Sequence, residues 1–207
     1  MVYNKAMTKV EVLIEGYATG HNDVEKISPS VVLIETDKNK IIVDPGFNRK
    51  ELMDALAQKN IETGQIDFVI LTHTHLDHCL LVGAFENATI LDSSDQFFQN
   101  GEIKSQDDQT LDHSIQIIKT PGHDQFHCSV AVNTDNMGTV VIAGDIFWWS
   151  ADKEPSKDYD TLLTLNDQYV KDNDALIESR KKVLQIADYV IPGHGKMFKN
   201  ICKTQNI

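Results

Sequence analysis

Four short apolar runs in this chain each lead within a few residues to a side chain that can bind a metal ion, so any fold must bring those four ends together. Val69-Ile-Leu71 passes through Thr72 into His73, His75, Asp77 and His78. Ile117-Ile-Lys119 passes through Thr120-Pro-Gly122 into His123, and Val140-Val-Ile-Ala143 passes through Gly144 into Asp145. Tyr189-Val-Ile191 passes through Pro192-Gly193 into His194. Short β-branched runs bounded by Gly or Pro are the pattern of strands. A glycine just ahead of a ligand opens backbone angles that a sharp strand exit needs. Strand ends also hold side chains more rigidly than free loops do.

The donors then set the chemistry. Seven candidate ligands exceed what one tetrahedral zinc ion takes and suit two ions that share a carboxylate and a water. Imidazole and carboxylate donors fit divalent zinc, with iron and manganese as alternatives, and no thiolate clusters with them to close a structural site. A water held between two such ions is a source of hydroxide near neutral pH, which makes hydrolysis the expected reaction. The three cysteines, Cys79, Cys128 and Cys202, are odd in number and lack C-x-x-C spacing, so a reducing compartment is expected.

Further strands are expected at Val10–Ile14, Val31–Glu35, Lys40–Val43, Phe68–Leu71, Thr89–Leu91, Ile115–Lys119, Ser129–Val132, Thr139–Ala143 and Tyr189–Ile191. Turn residues at Asp37-Lys-Asn-Lys40 and Thr134-Asp-Asn-Met-Gly138 mark two hairpins. Helical spacing covers Arg49–Lys59, Leu76–Phe85 and Asn173–Ala187. This is a mixed α/β pattern in a single domain spanning 1–207, since no linker composition divides it. Residues 150–172 are polar and irregular, and read either as a lid or as a surface connection. The N-terminal MVYNKAMTKVEVLIEG has no long apolar core and no run is long enough to span a membrane, so a cytoplasmic protein without membrane association is expected.

In this order, Thr72-His-Thr-His-Leu-Asp-His78, Thr120-Pro-Gly-His123, Ala143-Gly-Asp145 and Pro192-Gly-His194 resemble the motif set of the metallo-β-lactamase superfamily. The similarity runs from Val43-Asp-Pro-Gly46 to the last histidine. It implies a four-layer αββα sandwich with a dinuclear centre at one edge of two sheets. It also implies that His73, His75 and His123 hold one ion, that Asp77, His78 and His194 hold the other, and that Asp145 bridges them. Asp44 would stand behind these ligands. Asp77 and Asp145 are the expected catalytic carboxylates, Asp77 steering protons while it ligates. Within the superfamily the chain is similar to small stand-alone members, among them animal metallo-β-lactamase-domain proteins and small lactonases, and Glu178 to Gly195 carries much of that likeness. Flavodiiron-type reductases usually have Glu where His75 stands, and cysteine-ligated β-lactamases carry a Cys in place of one ligand, whereas position 145 is Asp.

A small carbonyl ester is the leading substrate class, with a lactone such as an N-acyl homoserine lactone the best-fitting case. Trp148 and Trp149 follow Asp145 directly and would supply an apolar wall for an acyl chain, with core packing as the alternative. Small lactonases often place a Tyr where Trp148 stands. His21 is expected on a loop between early strands, from which it could cover the site; His21, His113 and His127 each read first as ordinary surface or hydrogen-bonded histidines, and of the three His127 is the best placed for a substrate contact. Phosphodiester or RNA cleavage is the alternative reading, ahead of thioesterase, β-lactamase or mononuclear-iron oxygenase activity. The formal net charge of −12 repels a nucleic-acid backbone. The expected partner is a small-molecule substrate, with a second copy of the chain as a further candidate.

Overall fold

The computed structural model describes residues 8–21, 24–105 and 111–203. In chain order the strands are β1 (Lys9–Ile14), β2 (Tyr17–His21), β3 (Val24–Ser28), β4 (Val31–Glu35), β5 (Lys40–Val43), β6 (Phe68–Ile70) and β7 (Thr89–Leu91). They continue with β8 (Asp95–Phe97), β9 (Ile103–Ser105), β10 (Ile115–Lys119), β11 (Cys128–Thr134), β12 (Gly138–Trp148), β13 (Tyr189–His194) and β14 (Phe198–Lys199). The α-helices are α1 (Arg49–Gln58), α2 (Leu76–Cys79), α3 (Tyr159–Leu163) and α4 (Asn173–Ile186). One sheet runs β1-β4-β5-β6-β7-β8-β9 and a second runs β10-β11-β12-β13-β14, while β2 and β3 form a separate hairpin. Parallel pairing is confined to β5-β6-β7 in the first sheet and β12-β13 in the second.

Alternation along the strands builds the layers. On β4, Val31 and Leu33 face outward with Ile42 of β5 and Val69 of β6, and α1 covers them with Leu52 and Leu56. Val32 and Ile34 face inward with Ile41, Val43 and Ile70, and meet Val130, Val132, Val140 and Ile142 of the second sheet. Ala131, Val141, Ala143 and Val190 turn to the far side, where α3 contributes Leu162 and α4 contributes Leu176, Val183 and Leu184. Three apolar cores thus separate four layers in the order helix, sheet, sheet, helix, the αββα sandwich. Burying each Val, Leu or Ile is worth roughly 1.5–3 kcal/mol, so a one-residue slip that sent these side chains to the wrong faces would be strongly disfavoured. The covering helices begin where side chains cap them: Asn48 accepts the Glu51 N–H and Asp172 accepts the Ala175 N–H.

Several expected elements differ in extent. The helix expected over Leu76–Phe85 stops at Cys79 and resumes as a 3₁₀ turn at Val82–Ala84. The Leu81 N–H donates to Gly46 O instead of to its own helix, which diverts the chain. The strand expected to stop at Ala143 continues through Gly144 to Trp148, because a register shift against β13 absorbs the positive φ of +56° at Gly144. Residues 150–172 contain α3. His21 lies in strand β2, paired with Val24, and not in a loop. Among the described residues no helix is long and apolar enough to cross a membrane.

Candidate metal centre

Strand β6 of the first sheet and strands β10, β12 and β13 of the second carry their C-terminal ends to one rim. Beyond β6, Thr72 leads to His73 and His75, and the first turn of α2 presents Asp77 and His78. Beyond β10, Gly122 adopts φ +135°, where a Cβ would strike the backbone of Leu176 at 2.3 Å, and the chain turns so that His123 enters the rim. Asp145 follows Gly144 within β12, and His194 ends β13. A Cβ on Gly193 would lie 1.8 Å from Asp145 Oδ1, so the strand beside the carboxylate has to be bare there.

These side chains gather into two groups, His73, His75, His123 and Asp145 in one and Asp77, His78 and His194 in the other, with donor atoms within 4.8 Å of one another in each. In the first, His75 Nδ1 lies 3.2 Å from His123 Nε2, and Asp145 Oδ2 lies 3.5 Å from His123 Nε2 and 3.9 Å from His73 Nε2. In the second, Asp77 Oδ2 lies 3.6 Å from His78 Nε2 and 3.4 Å from His194 Nε2. Asp145 Oδ1 completes this group at 3.3 and 3.5 Å from the same two nitrogens. Zinc–nitrogen bonds of about 2.0–2.1 Å place tetrahedral neighbours roughly 3.3 Å apart, so both groups have nearly the spacing a cation needs. The two oxygens of Asp145 divide between the groups.

The donor set fits the ions that the count of ligands implies. His73 Nε2, His78 Nε2, His194 Nε2 and Asp145 Oδ1 are buried and have no hydrogen-bond partner. Each such group costs about 1–3 kcal/mol when left unsatisfied, and a cation between them removes that cost. The other ring nitrogens are already engaged. His78 Nδ1–H donates to Asp44 Oδ2 at 2.8 Å, His194 Nδ1–H to Ser28 O at 2.8 Å, and His73 Nδ1–H to Thr72 Oγ1 at 3.0 Å. Thr72 Oγ1–H in turn donates to Asp44 Oδ2 at 2.7 Å. Such outer bonds fix the tautomer that leaves Nε2 free for a metal.

Without cations the centre is electrostatically lopsided. Burial opposes charge on His78 and His194, yet Asp145 overrides it at both, with Asp44 helping at His78 and Asp77 at His194. His78 is raised well above the ordinary imidazole value and His194 is raised to about 9. Burial resists ionisation of Asp145 as well, but His194 and His78 hold its carboxyl well below the usual range. Burial lowers His73 and His75. Protons therefore collect in the second group and not on His73 or His75.

The remaining sequence candidates fall in different places. Asp44 stands behind the centre, as placed above. Trp148 lines a cleft of about 180 Å³ that opens beside Asp145 and His194, with Ala18, Ile27 and Tyr169 as neighbours. Trp149 does not line it: the indole is buried, stacked on Phe147 at 6.2 Å and set edge-on to Phe198 at 5.5 Å, in the core beneath α3 and α4. Trp148 ends β12 and Trp149 lies just past it with its N–H on His194 O, and the two side chains leave the extended backbone in opposite directions, so only one of the two tryptophans reaches the cleft. The side chain of His21 lies outside the described part of the structure. His127 is buried behind Asp145 and does not line the cleft. It accepts the Asp145 N–H through Nε2 and donates from Nδ1 to Thr120 Oγ1, with burial holding its pKa down to about 3.

Sequence reasoning missed Asp167. Its Oδ2 accepts His123 Nδ1–H at 2.7 Å, both groups being buried. Burial opposes its charge, but His123 and the Tyr169 N–H hold its carboxyl below the usual range. Asp167 lies in an irregular segment with no strand ending on it, so no periodicity marks it.

A family model described as the metallo-beta-lactamase superfamily matches residues 25–93. The chain is 33% identical over 204 residues to metallo-beta-lactamase domain-containing protein 1 of Homo sapiens, covering 94% of this chain and 73% of that protein. It is 32% identical over 188 residues to a probable metallo-hydrolase of Methanocaldococcus jannaschii, covering 89% and 86% of the two chains. Among solved structures, a putative metallo-beta-lactamase from Thermotoga maritima aligns with a TM-score of 0.72 at 22% identity over 93% of this chain and 99% of that one. A dizinc quorum-quenching lactonase, solved with a product bound, aligns with a TM-score of 0.62 at 17% identity over 83% and 73%. At these identities the two structures speak for the fold alone.

Proposed function

The chain belongs to the metallo-β-lactamase superfamily and is a metal-dependent hydrolase, and from that premise we propose that it uses two divalent cations, zinc foremost, to open a small carbonyl ester such as a lactone. The observation that carries this reading is the divided carboxylate of Asp145, one oxygen toward each ligand group. Two bound cations supply a water ionised near neutral pH and polarise the bond under attack. This chain's own residues do the rest. Asp145 keeps the two groups in register, while Asp44, Thr72 and Ser28 hold the imidazoles with Nε2 inward. Asp77 has 19% side-chain exposure against 8% for Asp145, so it is the carboxylate on the open side, placed to pass a proton to a departing alkoxide. The cleft beside the centre is small and bounded in part by Ala18, Ile27, Trp148 and Tyr169, which suits a single acyl chain better than a polymer.

One observation favours a phosphodiester as second reading. Lys26 lines the same cleft with no hydrogen bond or ion pair for its ammonium among the described residues, and would attract an anion. The net charge of −12 weighs against a long nucleic acid. Metal-loaded protein assayed on lactones, phosphodiesters, thioesters and β-lactams decides between them. Lactone hydrolysis lost in Asp77→Asn is expected. Phosphodiester cleavage lost in the same variant, with every lactone inert, would overturn the reading.

A further inference from the structure

The segment that follows α3 is tied down at both ends, and its middle reaches the metal centre. Arg180, buried at 1% exposure, donates Nη1 to Leu163 O and Leu165 O at 2.9 and 2.8 Å and Nε to Ile146 O at 2.7 Å. At the far end the N–H groups of Lys171 and Asp172 both donate to the carbonyl of Gly122, the residue before His123. Between these anchors sits Asp167, whose two oxygens face different partners. Oδ2 accepts His123 Nδ1–H at 2.7 Å, and Oδ1 accepts the Tyr169 backbone N–H at 2.8 Å. The Tyr169 ring then lies 6.3 Å from His123, 6.4 Å from His75 and 6.5 Å from Trp148, in the wall of the cleft.

We propose that Asp167 is a positioning residue that couples the first metal subsite, His73, His75, His123 and Asp145, to the cleft wall that carries Tyr169. A carboxylate on Nδ1–H fixes the His123 tautomer, aims Nε2 at the cation and strengthens it as a donor. The same carboxylate sets where Tyr169 leaves the backbone, so loading that subsite steadies the wall and the wall steadies His123. The other subsite is held by different partners, Asp44 on His78 and the Ser28 carbonyl on His194, so the effect falls on one cation. The inference rests on the dinuclear reading above but not on which ester is cleaved.

The test is a zinc titration of metal-stripped wild type, Asp167→Asn and Tyr169→Phe against a competing chelator, with amide exchange across residues 164–172 at zero, one and two equivalents of zinc. Asp167→Asn should weaken one of the two ions by roughly 10–100-fold, leave the other at wild-type affinity and abolish the zinc-dependent protection of 164–172. Tyr169→Phe keeps its backbone N–H and should match wild type in both readouts. Wild-type affinity for both ions in Asp167→Asn, or equal weakening of both, would overturn the coupling. The wild-type exchange experiment needs no variant and stands even if Asp167→Asn folds poorly: no change in 164–172 on adding zinc also overturns it. A wild type that binds two ions and opens no lactone would refute the substrate reading and leave this inference standing.

Discussion

Replacing Asp44 by Asn disturbs the backbone little and the protons a great deal. Residue 44 sits at φ +50°, a region that Asn enters about as readily as Asp. Its carboxylate accepts three hydrogen bonds, Oδ1 from the Thr72 N–H at 2.8 Å and Oδ2 from Thr72 Oγ1–H at 2.7 Å and His78 Nδ1–H at 2.8 Å. An amide can offer oxygen to only one side. With oxygen toward the Thr72 N–H, its NH₂ confronts His78 Nδ1–H, and the imidazole escapes only by moving its proton to Nε2, where the cation should bind. With the amide reversed, NH₂ confronts the buried Thr72 N–H. The reversed amide, or the first arrangement without that proton shift, sets a buried donor against a donor, which costs about 1–3 kcal/mol. For a chain of this size the melting temperature should fall by roughly 2–4 °C per kcal/mol. The tautomer change should weaken the cation at His78 by about 10–100-fold, as loss of an outer partner typically does. Stepwise zinc affinities by chelator competition, with thermal melts of the metal-free protein, measure both. Two wild-type affinities, or a loss confined to the His73, His75 and His123 subsite, would refute the reasoning.

Three other outcomes are expected. Trp148→Ala should raise KM for long-chain lactones and leave short ones nearly unchanged, and a uniform loss across chain lengths would remove it from the cleft. Trp149→Ala should cost about 3–5 kcal/mol in denaturant unfolding with KM unchanged, since it packs on Phe147 and Phe198. Loading the second subsite should release protons from His78 and His194: His194, raised to about 9, steadies the metal-free protein most below pH ~6.5 and loses that contribution as pH rises through about 9. Zinc affinity there should climb over the same window, measurable as calorimetric proton release in buffers of different ionisation enthalpy, and a pH-independent affinity would contradict the assignment.

The sequence carried the ligands more clearly than it carried their surroundings. β4, β5, β7 and β10 begin and end where β-branched runs and turn residues place them: β4 and β5 are buried and leave a nearly continuous apolar signature, while β10 alternates buried Ile115 and Ile118 with exposed Gln116 and Lys119. The ligands were legible because each follows such a run through Gly, Pro or Thr. Asp44 was legible for the same reason, standing at the end of β5. The hairpin of β2 and β3 was not, since residues 17–20 and 25–27 are exposed or half-buried and show little apolar alternation. Asp167 and Arg180 were hidden for another reason. Their roles depend on an irregular segment being pinned across the centre by side chains and carbonyls distant in sequence, and that pinning has no period to read. Trp148 and Trp149 are neighbours of the same residue type, and only the opposite directions their side chains take where β12 ends separate cleft from core.

Asp145 turns one oxygen toward each ligand group and would serve two cations, and metal counting tests this most directly. Wild-type protein stripped of metal and reloaded with zinc, then freed of loose ions and measured by elemental analysis, should carry about two ions per chain. Asp145→Ala should lose both, while His194→Ala should retain the ion held by His73, His75 and His123. A wild type that saturates at one ion under metal-replete conditions, or an Asp145→Ala variant that still holds two, would contradict the account.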